Sequence, residues 1–200
     1  MALPAVLFLV LLLTSVLAGC GRGQADTQTY SGTGKTGEPE ETEEGEYTLT
    51  TKVTDVINDP AFEDYGRLIF PVDRSIDGGL ELQDVGDILI WYNNVNPERT
   101  VEIVNYMKNQ VTSGEQIFYD IYTDEEKEED PEKEDTGLFF FRGEPGAKTA
   151  VVNAGGGFVY VAAMHDSFPQ ALELARRGYN AFALIYRPGA DTACGRRNRQ

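Results

Sequence analysis

Hydrophobic and polar positions divide the chain into three parts. Residues 2–18 are almost wholly apolar, and residues 21–46 consist mainly of Gly, Thr, Ser, Gln and Glu with very few apolar side chains. From Tyr47 onward apolar and polar residues mix as they do in a folded domain. The pattern predicts an export signal over residues 1–20, a disordered acidic linker over residues 21–46, and a folded region after it.

Two stretches of the folded region before residue 135 predict β-strands. Thr48 to Ile57 is rich in β-branched residues, and Gln116 to Tyr122 is rich in aromatic residues. Both residue classes favour the extended backbone. A shorter apolar run, Arg67 to Val72, contains a proline and is followed by the turn-like Asp77-Gly78-Gly79.

Two other stretches of the same region predict helices. Leu80 to Leu89 has apolar residues at roughly helical spacing. Asn96-Pro97 supplies an N-cap and a first-turn proline, and the apolar residues that follow recur on one face until Gly114 closes the helix. The part before residue 135 is therefore expected to be a mixed α+β unit.

The segment after residue 135 predicts a βαβ unit. Leu138 to Arg142 and Thr149 to Asn153 are strands, and Ser167 to Arg177 is a helix that begins with the Ser-x-x-Gln pattern of a capping box and ends before Gly178. Ala181 to Tyr186 is an uninterrupted apolar strand, as expected in a parallel sheet covered on both faces. Strand, loop, helix and strand in this order predict an α/β fold.

The apolar start of the chain ends in Leu17-Ala18-Gly19-Cys20. This ending resembles a bacterial lipobox, which implies that the Cys20 thiol carries a lipid and becomes the mature amino terminus. A transmembrane anchor over residues 2–18 is the alternative, because the run is just long enough to span a bilayer. Both interpretations predict an exported protein that is tethered to the bacterial cell membrane.

Composition excludes several classes of partner. The chain has 200 residues, of which 41% are hydrophobic, and a formal net charge of -16. Nucleic acid binding needs clustered Lys and Arg, so this charge argues against it. The acidic run from Asp124 to Asp135 lacks the glycine turn and ligand spacing of a calcium loop and predicts a solvated loop or an exposed helix. The sequence predicts no metal and no cofactor.

Three consecutive glycines, Gly155 to Gly157, follow the strand Thr149 to Asn153 and precede Phe158. Glycine suits backbone conformations closed to other residues and close approach of a ligand. A strand that ends in such a loop can present bare N–H groups to a developing negative charge, as an oxyanion hole does. The alternative is a glycine-rich turn that only allows tight packing.

The region from Leu138 to Pro188 resembles the amino-terminal half of α/β-hydrolase esterases. The residues that carry the resemblance are Asn153-Ala154-Gly155-Gly156-Gly157-Phe158, His165, Pro169, Ala171-Leu172-Glu173-Leu174, Arg177-Gly178-Tyr179, Phe182, Leu184 and Tyr186-Arg187. The type it is most similar to is the carboxylesterase, acetylxylan-esterase and dienelactone-hydrolase-like group of bacterial lipoproteins. The family's loop often starts with His, and here that position is Ala154.

The resemblance implies a fold, a substrate class and a site. Residues 136–194 would form an incomplete α/β-hydrolase-type sheet, and residues 47–135 an extension packed on it. The substrate would be a small acyl ester, such as an acetyl group on a polysaccharide. The N–H groups of Gly156 and Gly157 would form part of the oxyanion hole, with Gly155 and Phe158 adjacent.

The nucleophile of that family is missing. No Gly-x-Ser-x-Gly occurs in the chain, and the single histidine, His165, comes too early in the chain order to be the triad base. We interpret His165 as a loop residue at the mouth of the site, and Asp166 and Ser167 as residues that start a helix. We do not expect Cys194 to be a nucleophile. The sequence therefore predicts an inactive chain.

The end of the sequence suggests why. Residues 195–200, Gly-Arg-Arg-Asn-Arg-Gln, form an abrupt basic tail where an amphipathic helix is expected, which is typical of a truncated or misassembled gene end. Truncation would leave apolar residues of the sheet uncovered and lower the solubility. The residues concerned are Val151, Val152, Leu184 and Ile185. The alternative function is a non-catalytic surface lipoprotein whose glycine loop and Trp91-Tyr92 form a binding surface.

Overall fold

The fold was analysed in a computed structural model, which describes residues 45–72, 74–89, 91 and 94–189. Contacts divide the chain into two units, Met1–Glu41 and Thr42–Gln200, and every described residue belongs to the second. Its helices are α1 (Val53–Ile57), α2 (Pro97–Thr112), α3 (Asp124–Glu129) and α4 (Ser167–Arg176), with 3₁₀ segments at Pro60–Ile69, Leu82–Ile88 and Pro131–Lys133. Its strands are β1 (Phe118–Tyr119), β2 (Gly137–Phe141), β3 (Thr149–Asn153) and β4 (Asn180–Ile185).

The four strands form one mixed sheet in the order β1-β2-β4-β3. Strand β2 is antiparallel to both of its neighbours, with Phe139 opposite Phe118 on one side and Ala183 on the other. Strands β3 and β4 are parallel, with Val151 opposite Phe182. The predicted α/β class is confirmed at this level, since a parallel pair joined by a helix stands beside antiparallel strands.

The βαβ unit forms as the sequence predicts. Helix α4 connects the parallel strands β3 and β4 and ends before Gly178, whose φ of +87° suits the left-handed position after a helix. The predicted capping box is wrong. Asp166, not Ser167, is the N-cap, and the Ser167 side chain is buried inside the first turn.

Helix α2 also confirms its local signals. The side chain of Asn96 accepts a hydrogen bond from the N–H of Arg99 at 2.6 Å, and Pro97 occupies the first turn. Such a cap replaces a hydrogen bond that the first turn of a helix cannot make internally. The face toward the core is formed by Thr100, Ile103, Val104 and Met107.

One hydrophobic core joins the early helical segments to the sheet. The ring of Phe168 in α4 lies 5.0 Å from that of Phe139 and 5.5 Å from that of Phe141, both on β2. Phe62, from the segment Pro60–Ile69, and Val53 belong to the same core cluster. Residues before and after the acidic run are therefore packed together rather than in separate cores.

The predicted strand from Thr48 to Ile57 is wrong. Its second half is helix α1, because Val53 and Val56, one helical turn apart, are both fully buried. Only Lys52 pairs in extended fashion, in an isolated bridge with Glu81. The β-branched residues favoured a strand locally, and burial of two of them on one side favours the helix.

Two other predictions need adjustment. The predicted helix from Leu80 to Leu89 is a 3₁₀ segment over Leu82–Ile88. The apolar run from Arg67 to Val72, for which the sequence predicted no element, begins inside the 3₁₀ segment Pro60–Ile69. The predicted strand from Gln116 to Tyr122 has only two paired residues in β1. The acidic run contains the exposed helix α3, which was one of its two predicted forms, and its capping box is formed by Thr123 and Glu126.

Within the described part of the chain the sheet is covered on one face only, which differs from the expectation for β4. Ala181, Ala183 and Ile185 are buried, whereas the alternate residues Phe182 and Leu184 are half-buried. Ile185 was expected to be uncovered and is not. Val151 was expected to be uncovered, and 61% of it is exposed on the edge strand β3.

The predicted membrane anchor falls outside the residues that the structure describes. Residues 2–18 and Cys20, where the sequence predicts a signal and a lipid, are not among the described residues, and neither are Cys194 and the basic tail 195–200. Within the described ranges, no helix has the length and apolar character needed to cross a membrane.

Candidate functional site

The glycine loop, defined here as residues 154–166, connects the end of β3 to the start of α4. It therefore leaves the sheet at the carboxyl end of two parallel strands. In open α/β sheets this edge is where ligands bind, because neighbouring connections diverge there and leave a crevice. The loop therefore follows the carboxyl end of β3, where the sequence predicts it.

The backbone of the loop has three consecutive residues with positive φ. The φ values are +145° at Gly156, +61° at Gly157 and +60° at Phe158. A Cβ atom at Gly156 would lie 1.9 Å from the carbonyl oxygen of Tyr160, whereas one at Gly157 would meet nothing within 4 Å. Glycine is therefore required at position 156 for both conformation and space, whereas at position 157 it is only favoured, by the left-handed backbone.

Hydrogen bonds within the loop hold this shape. The N–H of Val159 donates to the oxygen of Gly156 at 3.0 Å, and the N–H of Ala162 donates to the oxygen of Gly155 at 3.1 Å. The N–H of Gly155 donates to a carboxylate oxygen of Asp166 at 2.8 Å. Two carbonyls and one N–H of the glycines are thus used inside the loop.

A tyrosine from the neighbouring strand supports the loop. Tyr186 follows β4, and its hydroxyl donates to the carbonyl oxygen of Ala154 at 3.1 Å. The carbonyl oxygen of Tyr160 lies 3.5 Å from the same hydroxyl. The ring of Phe158 meets the ring of Tyr186 edge-on, with centroids 6.1 Å apart. Tyr186 therefore contacts both ends of the glycine turn.

The N–H groups of Gly156 and Gly157 take no part in these hydrogen bonds. Among the described residues, no hydrogen bond engages the N–H of Gly156 or of Gly157. Gly157 and Phe158 are exposed, and Gly156 is half-buried. Neighbouring backbone N–H groups in a turn can form a concavity that binds an anion. The two residues named from the sequence are thus among those whose donors remain available.

His165 does not contact the turn. Its Nε2 atom lies 3.2 Å from the carbonyl oxygen of Val85, and because a carbonyl only accepts, Nε2 carries the proton. Burial lowers the pKa of His165, and the hydrogen bond to Val85 offsets only part of that effect. Nδ1 is buried and has no hydrogen-bond partner among the described residues. A neutral ring held this way packs the loop against the segment Leu82–Ile88.

The other groups named from the sequence are not brought to the turn. Ser167 is buried, and its hydroxyl has no hydrogen-bond partner among the described residues. Trp91 is 86% exposed, and Tyr92 lies outside the described residues. The described residues hold no cluster of three or more His, Cys, Asp or Glu side chains that could bind a metal ion.

Sequence reasoning missed two residues that shape the site. Asp166 was assigned to the helix start, and it also fixes the first glycine of the loop. Tyr186 was part of the family pattern, without a role. Both contacts join residues that are 11 or more positions apart in the sequence, so no local pattern reveals them. The one weak signal for Tyr186 is its polar hydroxyl at the end of an apolar strand.

Comparisons with protein-family models, with curated proteins and with solved structures give no match to this chain. The resemblance to α/β-hydrolase esterases therefore rests on the residues of the chain itself.

Proposed function

We propose that this chain is the amino-terminal part of an exported, lipid-anchored serine esterase of the α/β-hydrolase type, which acts on small acyl esters. The observation that supports it is the turn at Gly156 and Gly157. It lies at the carboxyl end of a parallel strand and is held by Asp166 and Tyr186, and two of its N–H groups have no hydrogen-bond partner in the described part of the chain. In α/β-hydrolases an N–H of the loop between the third strand and the following helix forms part of the oxyanion hole.

The chemistry that follows is stabilisation of charge. When a nucleophile attacks an ester carbonyl, its oxygen becomes negative in the tetrahedral intermediate. The N–H groups of Gly156 and Gly157 donate to that oxygen. The hydrogen bond that Asp166 accepts from Gly155 and the one that Tyr186 donates to Ala154 keep these N–H groups in place while the charge develops. Removing one such donor from an esterase or protease costs on the order of 100- to 1,000-fold in kcat.

The nucleophile has to come from outside the 200 residues. These contain no Gly-x-Ser-x-Gly, and His165 donates to a backbone carbonyl of another segment. We therefore expect the chain alone to show no turnover of a chromogenic acetate ester above the buffer rate. Turnover that survives replacement of every serine would contradict this account.

The decisive experiment extends the reading frame. The DNA after codon 194 is read in the other two frames for Gly-x-Ser-x-Gly followed by an acid and a His, and the reconstructed protein is assayed on acetate esters. Replacing Gly157 by its ester analogue, glycolic acid, through protein semisynthesis removes one N–H without adding a Cβ, and it should lower kcat by roughly 100-fold or more. Gly157→Ala keeps the N–H and has space for its Cβ, so it is the control for backbone strain.

A second candidate function is a non-catalytic surface lipoprotein. The observation that favours it is Trp91, a large aromatic side chain that is 86% exposed, because exposed aromatic residues are frequent in binding surfaces. Unrelated sequence in all frames after codon 194, together with loss of surface binding in Trp91→Ala, would favour this function over the esterase.

A further inference from the structure

A cleft that neither proposed function uses lies between the segment Pro60–Ile69, strand β1 and helix α3. Its volume is about 650 Å³. This is within the range of sites that hold a drug-sized ligand or a few residues of a peptide. The glycine loop contributes no residue to its lining.

The apolar part of the cleft is an aromatic pair. The rings of Tyr65 and Phe118 stack with centroids 4.8 Å apart and 11° between their planes, and Leu68 lies beside them. Burial raises the pKa of Tyr65 to about 12, with a smaller contribution from the charge of Glu63. The phenol is therefore neutral at physiological pH. A stacked, half-buried pair gives an apolar side chain a firm surface to pack against.

The cations of the cleft are already engaged. Lys127 Nζ lies 2.5 Å from a carboxylate oxygen of Asp120, and the Lys127 side chain is only 12% exposed. Arg67 Nε lies 2.8 Å from a carboxylate oxygen of Asp135. Neither positive charge is left to neutralise the remaining acids of the cleft.

Five carboxylates of the lining have no ion-pair partner among the described residues. They are Glu63, Asp64, Asp124, Glu128 and Glu134. Seven acidic residues line the cleft against two basic ones, so its formal charge is -5. Negative potential inside a concave surface attracts cations more strongly than the same charges on a flat one.

The spacing of these acids matters for the kind of cation. Within the described residues no three acidic, His or Cys side chains approach closely enough to hold a metal ion. The negative charge is distributed around the apolar pair instead. A ligand that matches it carries several separated positive charges and one apolar group.

We infer that this cleft binds a short cationic peptide segment, in which an apolar side chain packs on Tyr65 and Phe118 while flanking Lys or Arg residues face the carboxylates. The inference rests on charge complementarity, on the apolar pair and on the volume of the cleft. It is independent of the esterase proposal, because no residue of the glycine loop takes part.

The test uses the full 200-residue chain and a fluorescein-labelled pentapeptide amide, Lys-Lys-Leu-Lys-Lys, titrated at low ionic strength with anisotropy as the readout. Two further peptides, Lys-Lys-Ser-Lys-Lys and Glu-Glu-Leu-Glu-Glu, separate the apolar and the charge contributions. The serine peptide should bind about fivefold or more weakly than the leucine peptide, since the apolar contact is lost. The acidic peptide should not bind.

The double variant Glu128→Gln with Glu134→Gln removes two exposed, unpaired charges from the rim. It should weaken binding by roughly 2- to 30-fold, as expected for two exposed ion pairs. The control is Asp87→Asn with Glu98→Gln, which changes the net charge equally but outside the cleft, and it should bind as the native chain does. Three outcomes would overturn the inference. They are an equal loss of binding in both double variants, equal binding of the leucine and serine peptides, and no saturable binding of the leucine peptide.

Discussion

Asp166 accepts two hydrogen bonds that tie the start of α4 to the start of the glycine loop. One carboxylate oxygen lies 2.8 Å from the N–H nitrogen of Gly155, and the other lies 2.7 Å from the side-chain amide nitrogen of Gln170. The side chain is therefore fixed by the helix while it fixes the loop. Loop shape and helix position are coupled through this one residue.

Replacing Asp166 should loosen the loop. In Asp166→Ala both hydrogen bonds are lost, and we expect the free energy of unfolding to fall by about 1–3 kcal/mol. The Asp166→Asn variant should lose less unfolding free energy, because its amide oxygen can still accept the hydrogen bond from the N–H of Gly155. Chemical denaturation measures the difference, and amide hydrogen exchange at Gly155 reports on the loop directly. Equal stability of the alanine variant and the native chain would contradict a structural role for Asp166.

The two glycines of the turn should respond differently to alanine. Gly156→Ala places a Cβ 1.9 Å from the carbonyl oxygen of Tyr160 at a φ of +145°, and we expect a loss of roughly 3 kcal/mol or more. Gly157→Ala meets no atom within 4 Å, so only the left-handed backbone is unfavourable, at about 1 kcal/mol. Thermal unfolding of both variants checks the order, and the reverse order would show that the loop is shaped differently.

His165 should make the stability depend on pH in one window. Burial places its folded pKa below the ordinary value of about 6.5, so the neutral ring is favoured in the folded state. The stabilisation is complete above about pH 6.5 and is lost as the pH falls from there through the lower folded pKa. Denaturation at a series of pH values measures it.

The control for this titration is His165→Gln, which keeps a donor for the carbonyl oxygen of Val85 and has no charge to gain. Its unfolding free energy should not show the decrease that the histidine causes as the pH falls below about 6.5. Since His165 is the single histidine of the chain, one imidazole signal in the NMR spectrum gives the folded pKa without assignment. A value at or above 6.5 would contradict the prediction.

The edge strand β3 should govern self-association. It carries no charged residue between Thr149 and Asn153, and Val151 at its centre is 61% exposed. Uncharged, apolar edges pair with other edges, and a lysine on such a strand prevents this. We expect Val151→Lys to reduce the apparent mass in light scattering. Asn94→Lys adds the same charge at an exposed site away from the sheet and should not.

Local signals in the sequence determined much of the secondary structure. Helix α2 begins at an Asn-Pro pair because the Asn96 side chain caps its first turn, and α4 ends before Gly178 because that residue takes a positive φ. The bounds of β3 match the predicted strand, which has a glycine loop directly behind it. Each of these signals acts over a few residues, so the sequence contains it in full.

Other features needed the tertiary structure, because they depend on which residues meet across the fold. Val53 and Val56 become helical because both are buried one turn apart, against their β-branched preference. Among the residues that the structure describes, the sheet is covered on one face, so an apolar strand such as β4 did not imply a second layer of helices there. The cleft combines residues from three segments, and no local pattern places them together.

The same division applies to the glycine loop. Its glycines by themselves allow backbone conformations closed to most other residues, since this is a property of the residue type. Only the tertiary structure decided which N–H groups remain available, because Asp166 engages that of Gly155 and leaves those of Gly156 and Gly157. It also assigned Tyr186, 32 residues after Ala154, to the support of the loop, a contact that requires β3 and β4 to be neighbours.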